Sequence, residues 1–324
     1  MKAAVIYQKG ELPQYTDFPD PIVKNDDELL ITMKAAAIKH FDKSTASGKH
    51  YAAENQQQNG TVIGGDGVGL LDDGTRVFAL GISGMIAEKA VVDKRRMVRL
   101  PEGVDDVSAC ALPNAVAGSA MALRFRANIK SGETVLINGA TGFTGKIAVQ
   151  MAKHYGAKKI IVTGRNEETL QSLLAIGADQ TISIKQTSEQ FIEQLKLIHN
   201  NTPIDIIIDY LWGHTAELIL SSLKGNGSFT HKTRFVSIGS ITGDKIQLSA
   251  EILRSVDLQL SGSGLGSWTK EEMKQLISEI LPEMFQLLAE NKLKVDTVSV
   301  SLKDIEKLWG MEVSDGKRLV VTMY

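Results

Sequence analysis

The 324-residue sequence predicts an α/β protein: a doubly wound parallel sheet joined to a separate β-rich unit. Three observations lead there. Short strand-like runs between Gly, Pro and Asp turns fill the chain up to the region of Pro113. Beyond Glu133, apolar runs alternate with helical patterns. A glycine cluster, Gly139, Gly142 and Gly145, sits where one of those runs gives way to a helix.

Taken in order, residues 3–7, 28–33, 76–79 and 88–92 read as strands. The stretch Gly60-Thr-Val-Ile-Gly-Gly-Asp-Gly-Val-Gly69 is dense in glycine, which among strands suggests bulges or close backbone approach. After Pro113 the texture changes. Residues 134–138 form a short apolar run, and 146–155 follow with helical spacing, Ile147, Met151 and Tyr155 sharing one face. Residues 160–163 are apolar again and 167–176 helical; 181–184, 205–210, 235–239 and 258–261 read as further strands, with helical patterns between them. Such alternation calls for a parallel sheet covered on both faces. A helix over 269–290, a strand over 294–300, a short helix near Asp304 and a final strand over 318–323 complete the chain. The segment 295–324 is strand-rich like the first part, and we infer that it returns to complete that unit.

Composition narrows the function classes. Hydrophobic residues make up 43% and charged residues 23%, ordinary values for a soluble globular protein. Lys and Arg total 36 against 38 Asp and Glu, a net charge of -2 without a basic block, so no nucleic-acid partner is expected. No stretch approaches a membrane span, and the first apolar run is too short for a signal-peptide core. A cytoplasmic location is the expectation. Cys110 is the single cysteine, which excludes an internal disulfide and a multi-cysteine zinc site; in its apolar stretch it reads as a buried structural thiol. The six histidines show no metal-like pairing.

The glycine cluster resembles the dinucleotide fingerprint Gly-x-Gly-x-x-Gly, with Ala140 in the first place and Gly142 and Gly145 in the second and third. Gly142 would let backbone approach a pyrophosphate, and Gly145 would let helix and strand pack closely. The helix start around Phe143, Thr144 and Gly145 would hold phosphate charge. The second strand of this unit ends in Gly164, Arg165 and Asn166, where an NAD-binding protein usually carries an acidic residue for the ribose hydroxyls. A guanidinium can instead take a 2′-phosphate through two hydrogen bonds, which favours NADPH over NADH. The other reading of Arg165 is a residue that solvates a strand end.

Three segments then carry a family resemblance: Leu112-Pro-Asn-Ala-Val-Ala-Gly-Ser-Ala120, Gly132-Glu-Thr-Val-Leu-Ile-Asn-Gly-Ala-Thr-Gly-Phe-Thr-Gly145 and Ala148-Val-Gln-Met-Ala-Lys-His-Tyr-Gly-Ala157. With Met1-Lys-Ala-Ala-Val5, Leu100-Pro-Glu-Gly-Val104 and Gly316-Lys-Arg-Leu-Val-Val321, they resemble, in order, the quinone-oxidoreductase branch of the medium-chain dehydrogenase/reductase superfamily. The resemblance implies a β-rich, GroES-like catalytic domain over 1–113 and 267–324, related to a distorted barrel. It implies a Rossmann domain over 114–266, an active site in the cleft between the two, and a homo-oligomer, dimer or tetramer.

Departures from the superfamily's zinc enzymes matter equally. Lys39, in Ala37-Ile-Lys-His-Phe-Asp-Lys-Ser44, stands at the place of their early Cys ligand. Gly65, in Gly64-Gly-Asp-Gly-Val-Gly69, stands at the place of their His, and the four-cysteine zinc lobe is missing. No metal is therefore expected. Without a Lewis acid, an electron-poor acceptor such as a quinone or an enone remains feasible, since positioning and hydrogen bonds to the developing oxyanion suffice.

Many quinone oxidoreductases have a Tyr in the segment that here reads Asp42-Lys-Ser-Thr-Ala-Ser-Gly48, and Ser44 takes its place. Lys39, His40, Asp42 and Tyr51 belong to the same segment, and each is a candidate for the cleft or a solvated surface residue; solvent is another proton source. Ser119 matches a position where the family often has a small hydroxyl residue near the nicotinamide, or it serves helix packing. Gly239 and the run Gly262-Ser-Gly-Leu-Gly266, with Gly264 at its centre, end two late strands, where such sheets place their ligand crevice. Two other readings stay open: reduction of another activated alkene, such as an acrylyl thioester, and a non-catalytic NADPH-binding sensor.

Overall fold

Along the strand Glu28–Ala37, Ile31, Met33 and Ala35 are buried while Thr32 is exposed and Lys34 half-buried. That is the period of two imposed by a sheet with one covered face. A computed structural model describes residues 1–48, 59–228, 230–311, 313 and 315–324 of the chain. These fall into two compact units, Met1–Pro113 with Gln275–Tyr324, and Asn114–Lys274.

In chain order, the first unit opens with β1 (Lys2–Ile6), β2 (Gln14–Asp17), β3 (Glu28–Ala37), helix α1 (His40–Ala46), β4 (Thr61–Val62), β5 (Asp66–Leu70), β6 (Arg76–Gly81) and β7 (Lys89–Arg99). Helix α2 (Asp106–Met121) holds Pro113 in its interior, and the division between units falls there. The second unit continues with β8 (Thr134–Asn138), α3 (Phe143–His154), β9 (Lys159–Gly164), α4 (Glu167–Ser172), β10 (Gln180–Ser183), α5 (Ser188–Asn201) and β11 (Ile206–Asp209). It ends with α6 (Gly213–Ser222), β12 (Thr233–Ser237), α7 (Ala250–Ser255), β13 (Leu258–Gly262) and α8 (Lys270–Gln275). A π-type turn, Leu276–Ile280, joins α8 to α9 (Leu281–Ala289), and β14 (Thr297–Ser301), α10 (Ile305–Leu308) and β15 (Arg318–Thr322) finish the first unit. The sequence places this return at residue 267; the units divide at Gln275, within the helical run that begins at Lys270.

In the first unit six strands lie in the order β14-β15-β3-β5-β6-β7, and β3 also pairs with β7, so the strands β3-β5-β6-β7 close on themselves. Residue Val321 of β15 lies opposite Ala36 of β3. The glycine-dense β5 answers to close approach: a Cβ on Gly67 would fall 2.7 Å from the carbonyl oxygen of Ala35, where the β3 register shifts. Ile31, Met33, Val77, Ala79, Met85, Ala90 and Val92 pack together as one core cluster of this unit.

In the second unit the strand order is β10-β9-β8-β11-β12-β13 and every pairing is parallel. This is the doubly wound order, and its reversal lies between β8 and β11. Leu136, Ile161, Ile207 and Phe235 present one face to Phe191 and Leu195 of α5 and Ala216, Ile219 and Leu220 of α6. Burying Phe235 alone contributes roughly 1.5–3 kcal/mol. Helix α5 starts at a capping box in which Thr187 and Gln190 satisfy each other's backbone N–H groups. Among the described residues no helix is long and apolar enough to cross a membrane.

Candidate functional site

The turn after β8 is built from glycines with different physical reasons. Gly139 has φ +86°, and a Cβ there would lie 2.7 Å from Leu211 Cγ. Gly145, in the first turn of α3, has no room at all: a Cβ would fall 2.5 Å from Ala140 Cα, so helix and loop pack backbone to backbone. Gly142 caps α3 in an extended conformation that any residue can adopt, φ −80° and ψ 168°, and nothing lies within 4 Å of its missing Cβ. Neither backbone strain nor packing requires glycine at 142, but the approach of a ligand would. Phe143 is buried and Thr144 half-buried as the helix begins, and the N-terminal end of a twelve-residue helix favours an anion.

The end of β9 closes against this loop. A Cβ on Gly164 would sit 2.3 Å from Thr141 Cγ2, so glycine is what lets the two strand ends meet. Arg165 follows, exposed, and Asn166 caps α4 by accepting the Thr169 N–H at 2.9 Å. Ser119 is fully buried on α2, and its hydroxyl donates to the carbonyl of Ala115 at 2.8 Å. Its neighbour Gly118 faces Ile238 and Thr144, with a Cβ position 3.6 and 3.9 Å from their methyl groups. Helix α2 thus meets the end of β12 and the start of α3. Gly239 lies against β11, its Cβ position 2.7 Å from the Tyr210 carbonyl oxygen. Gly264 follows β13 and donates its N–H to Ser267 Oγ at 2.9 Å. The structure therefore brings Ser119, Gly142, Phe143, Thr144, Gly145, Gly164 and Gly239 to the carboxyl ends of β8, β9, β11 and β12.

Sequence reasoning missed the residues beneath the loop. Thr163, Asn138 and Asp209 end or nearly end β9, β8 and β11, all fully buried. Asn138 Nδ2 donates to Asp209 Oδ1 at 2.7 Å, and Thr163 Oγ1 donates to Asn138 Oδ1 at 2.6 Å. Burial pushes the Asp209 carboxyl up from its usual range, opposed by hydrogen bonds from Trp212, Asn138 and Leu211. The signal was present: three apolar runs, each closing on a polar residue.

In the first unit two of the predicted candidates, Lys39 and Asp42, belong to an ion cluster with Asp66 and Arg318, which the sequence did not single out. Lys39, 2% exposed, directs Nζ to Asp66 Oδ1, to Asp42 Oδ2 at 3.1 Å and to the Ala37 carbonyl oxygen at 3.1 Å. Asp42 also accepts the backbone N–H groups of Lys39, at 2.9 Å, and of Gly65, at 3.3 Å. Burial opposes the Lys39 charge, but Asp42 and Asp66 outweigh it and raise the ammonium's pKa. Burial pushes Asp66 up despite Lys39. Arg318, buried on β15, is pushed down to about 10 by burial, with Asp42 and Asp66 pulling the other way. Two cations and two carboxylates balance. Ser44 is half-buried on α1, and Tyr51 lies outside the described residues. Cys110 is buried, with its thiol pushed well up by burial. Among the described residues no group of three or more His, Cys, Asp or Glu is arranged to hold a metal ion.

Comparison with known proteins agrees with this architecture. Residues 144–281 match the family model described as zinc-binding dehydrogenase. A probable NADPH-dependent quinone reductase of Emericella nidulans is 26% identical over 95% of this chain and 96% of its own length. The human quinone oxidoreductase is 29% identical over 85% of this chain and 83% of its own. Among solved structures, a mycobacterial quinone oxidoreductase superposes with a TM-score of 0.84 at 20% identity, covering all of both chains. The Thermus thermophilus quinone oxidoreductase, also solved with NADPH, gives 0.80 at 23% identity, again over both whole chains. The superpositions speak for the fold, and the relatives that match most of the chain agree with the likeness carried by the sequence segments: the chain is similar to the quinone-oxidoreductase branch of the medium-chain dehydrogenase/reductase superfamily.

Proposed function

We propose that the protein is a zinc-independent oxidoreductase that passes hydride from NADPH to a quinone or enone-type acceptor. The observation that carries this reading is the glycine loop, where Gly145 is fixed by packing while Gly142 is left open at a helix N-terminus. The names of its full-length relatives support the same reaction class. In this reading Gly142, Phe143, Thr144 and Gly145 hold the pyrophosphate. Gly164, Arg165 and Asn166 form the end that takes the 2′-phosphate, Arg165 being exposed beside it. Ser119, Gly239 and Gly264 border the nicotinamide half. NADPH, when bound, supplies the hydride; the chain orients it and excludes water.

Zinc does not fit the residues present. A divalent ion at the place of Lys39 would meet an ammonium that two carboxylates hold protonated, and Gly65 offers no side-chain ligand. The same pairing makes Lys39 a poor proton donor and leaves Asp42 engaged. The proton that completes reduction then comes from the segment of Ser44 and Tyr51 or from solvent. A cytoplasmic location and self-association as a dimer or tetramer belong to this proposal.

Loss of NADPH absorbance with a simple quinone, a simple enone and an acrylyl thioester tests it. Turnover with the quinone or enone, and little with NADH in place of NADPH, is expected. Turnover confined to the thioester moves the acceptor to other activated alkenes. Tight NADPH binding without turnover on any acceptor would make the protein a sensor.

A further inference from the structure

The three strands on which the glycine loop rests are tied together by a buried polar chain. Gly139 donates its N–H to Thr163 Oγ1 at 3.2 Å. Thr163 donates to Asn138, and Asn138 donates to Asp209 and to Thr215 Oγ1, at 3.1 Å. The carboxylate of Asp209 also accepts from the N–H of Leu211 at 3.0 Å and of Trp212, whose nitrogen lies 3.1–3.2 Å from both oxygens. Among the described residues Asp209 is the one buried charged side chain of the second unit, and the partners it has are uncharged.

Its grip falls on a strained turn. Trp212 has φ 58° and ψ −154°, a region that side-chain-bearing residues rarely occupy. Besides Asp209, Thr215 and Thr242 hold it by donating to its carbonyl at 3.2 and 3.0 Å, and its ring packs edge-on against Phe235. The residue before it, Leu211, is the one against which Gly139 closes. One chain of hydrogen bonds therefore runs from Gly139, at the head of the loop after β8, through Thr163, the residue before Gly164 at the end of β9, to Leu211 and Trp212 in the turn after β11.

We infer that Asp209, acting through Asn138 and Thr163, is a positioning residue for the dinucleotide site: it fixes the ends of the three strands in mutual register before the cofactor arrives. This rests on the NADPH reading above. A buried carboxylate ringed by dipoles is a poor stabiliser, since replacing a charged group by a neutral one relieves desolvation. What it does well is to align several N–H groups at once, which a neutral side chain of that size cannot do.

The test is NADPH titration of the full chain by fluorescence, with thermal melting to confirm that each protein is folded. Asp209→Asn is expected to bind about tenfold more weakly, and Asn138→Asp, which sets two carboxylates face to face, more weakly still. The double exchange, Asn138→Asp with Asp209→Asn, restores a donor–acceptor pair and is expected to recover affinity to within about threefold. Thr163→Val, a milder change, serves if Asp209→Asn does not fold, with a loss of about threefold expected. Unchanged affinity in the folded single variants, with only their melting lowered, overturns the inference and leaves the NADPH reading standing. Losses in the double variant that equal the product of the single losses overturn the coupling through Asn138. Absence of NADPH binding by the unaltered chain overturns both.

Discussion

The two units bury carboxylates in opposite ways. In the first, Asp42 and Asp66 face Lys39 and Arg318, charge against charge. In the second, Asp209 faces one amide and two backbone N–H groups. The first arrangement stabilises a fold locally: each ion justifies the burial of the others, and protons are held where they are. The second contributes little to stability and much to geometry, because a single acceptor collects donors from the end of β8 and from the turn after β11. Lys39, at the position that the sequence resemblance assigns to a zinc-ligand cysteine, is here an internal cation paired with the unit's own carboxylates.

Substitution at Lys39 is the strongest way to break this contrast. Lys39→Met leaves Asp42 and Asp66 with Arg318 alone. The expected loss is about 3–5 kcal/mol of stability, read by chemical denaturation. Asp209→Asn should cost only about 1 kcal/mol by the same measurement, its effect appearing in NADPH affinity instead. Equal losses at the two sites would erase the distinction between them. Next in size is Arg165→Ala: the KM for NADPH should rise about tenfold while that for NADH stays level, since only NADPH carries the 2′-phosphate. An equal change for both cofactors would return Arg165 to the strand-end role.

A smaller effect concerns pH. Burial holds the folded-state carboxyl of Asp209 above its ordinary value of 3.8. A carboxyl raised in this way binds its proton more tightly in the folded state. Its contribution to stability is fully present below 3.8 and is lost as pH rises through the folded value. Asp209→Asn should therefore flatten the melting temperature against pH in the mildly acidic range. A profile identical to that of the unaltered chain would show that the carboxyl is not raised. Smallest of all, Cys110 should resist thiol reagents in the folded protein at neutral pH and react after denaturation, because burial suppresses its thiolate.

Much of the second unit was legible because its signals are local. Strand 134–138 was expected with those limits, and Gly142 and Gly145 announced the strand-to-helix turn. The helical run 269–290 was expected too, but nothing in its periodicity reveals the π-type turn at Leu276–Ile280. The ion cluster was not legible as a cluster. Lys39 pairs with Asp66 across 27 positions, and Arg318 arrives from the last strand, 280 positions after Ile38, whose carbonyl it approaches. Only the closed sheet of the first unit brings them together. Asn138, Thr163 and Asp209 were readable in principle, yet polar strand ends usually meet solvent, and it is their complete burial that sets these apart.

The most direct measurement of the central claim is turnover of NADPH with a quinone by protein treated with a strong chelator, alongside its metal content by mass spectrometry. Full activity without bound zinc is the expected result, with the Lys39–Asp66 pair standing where a ligand set would be. Activity lost on chelation and restored by added zinc would contradict the account.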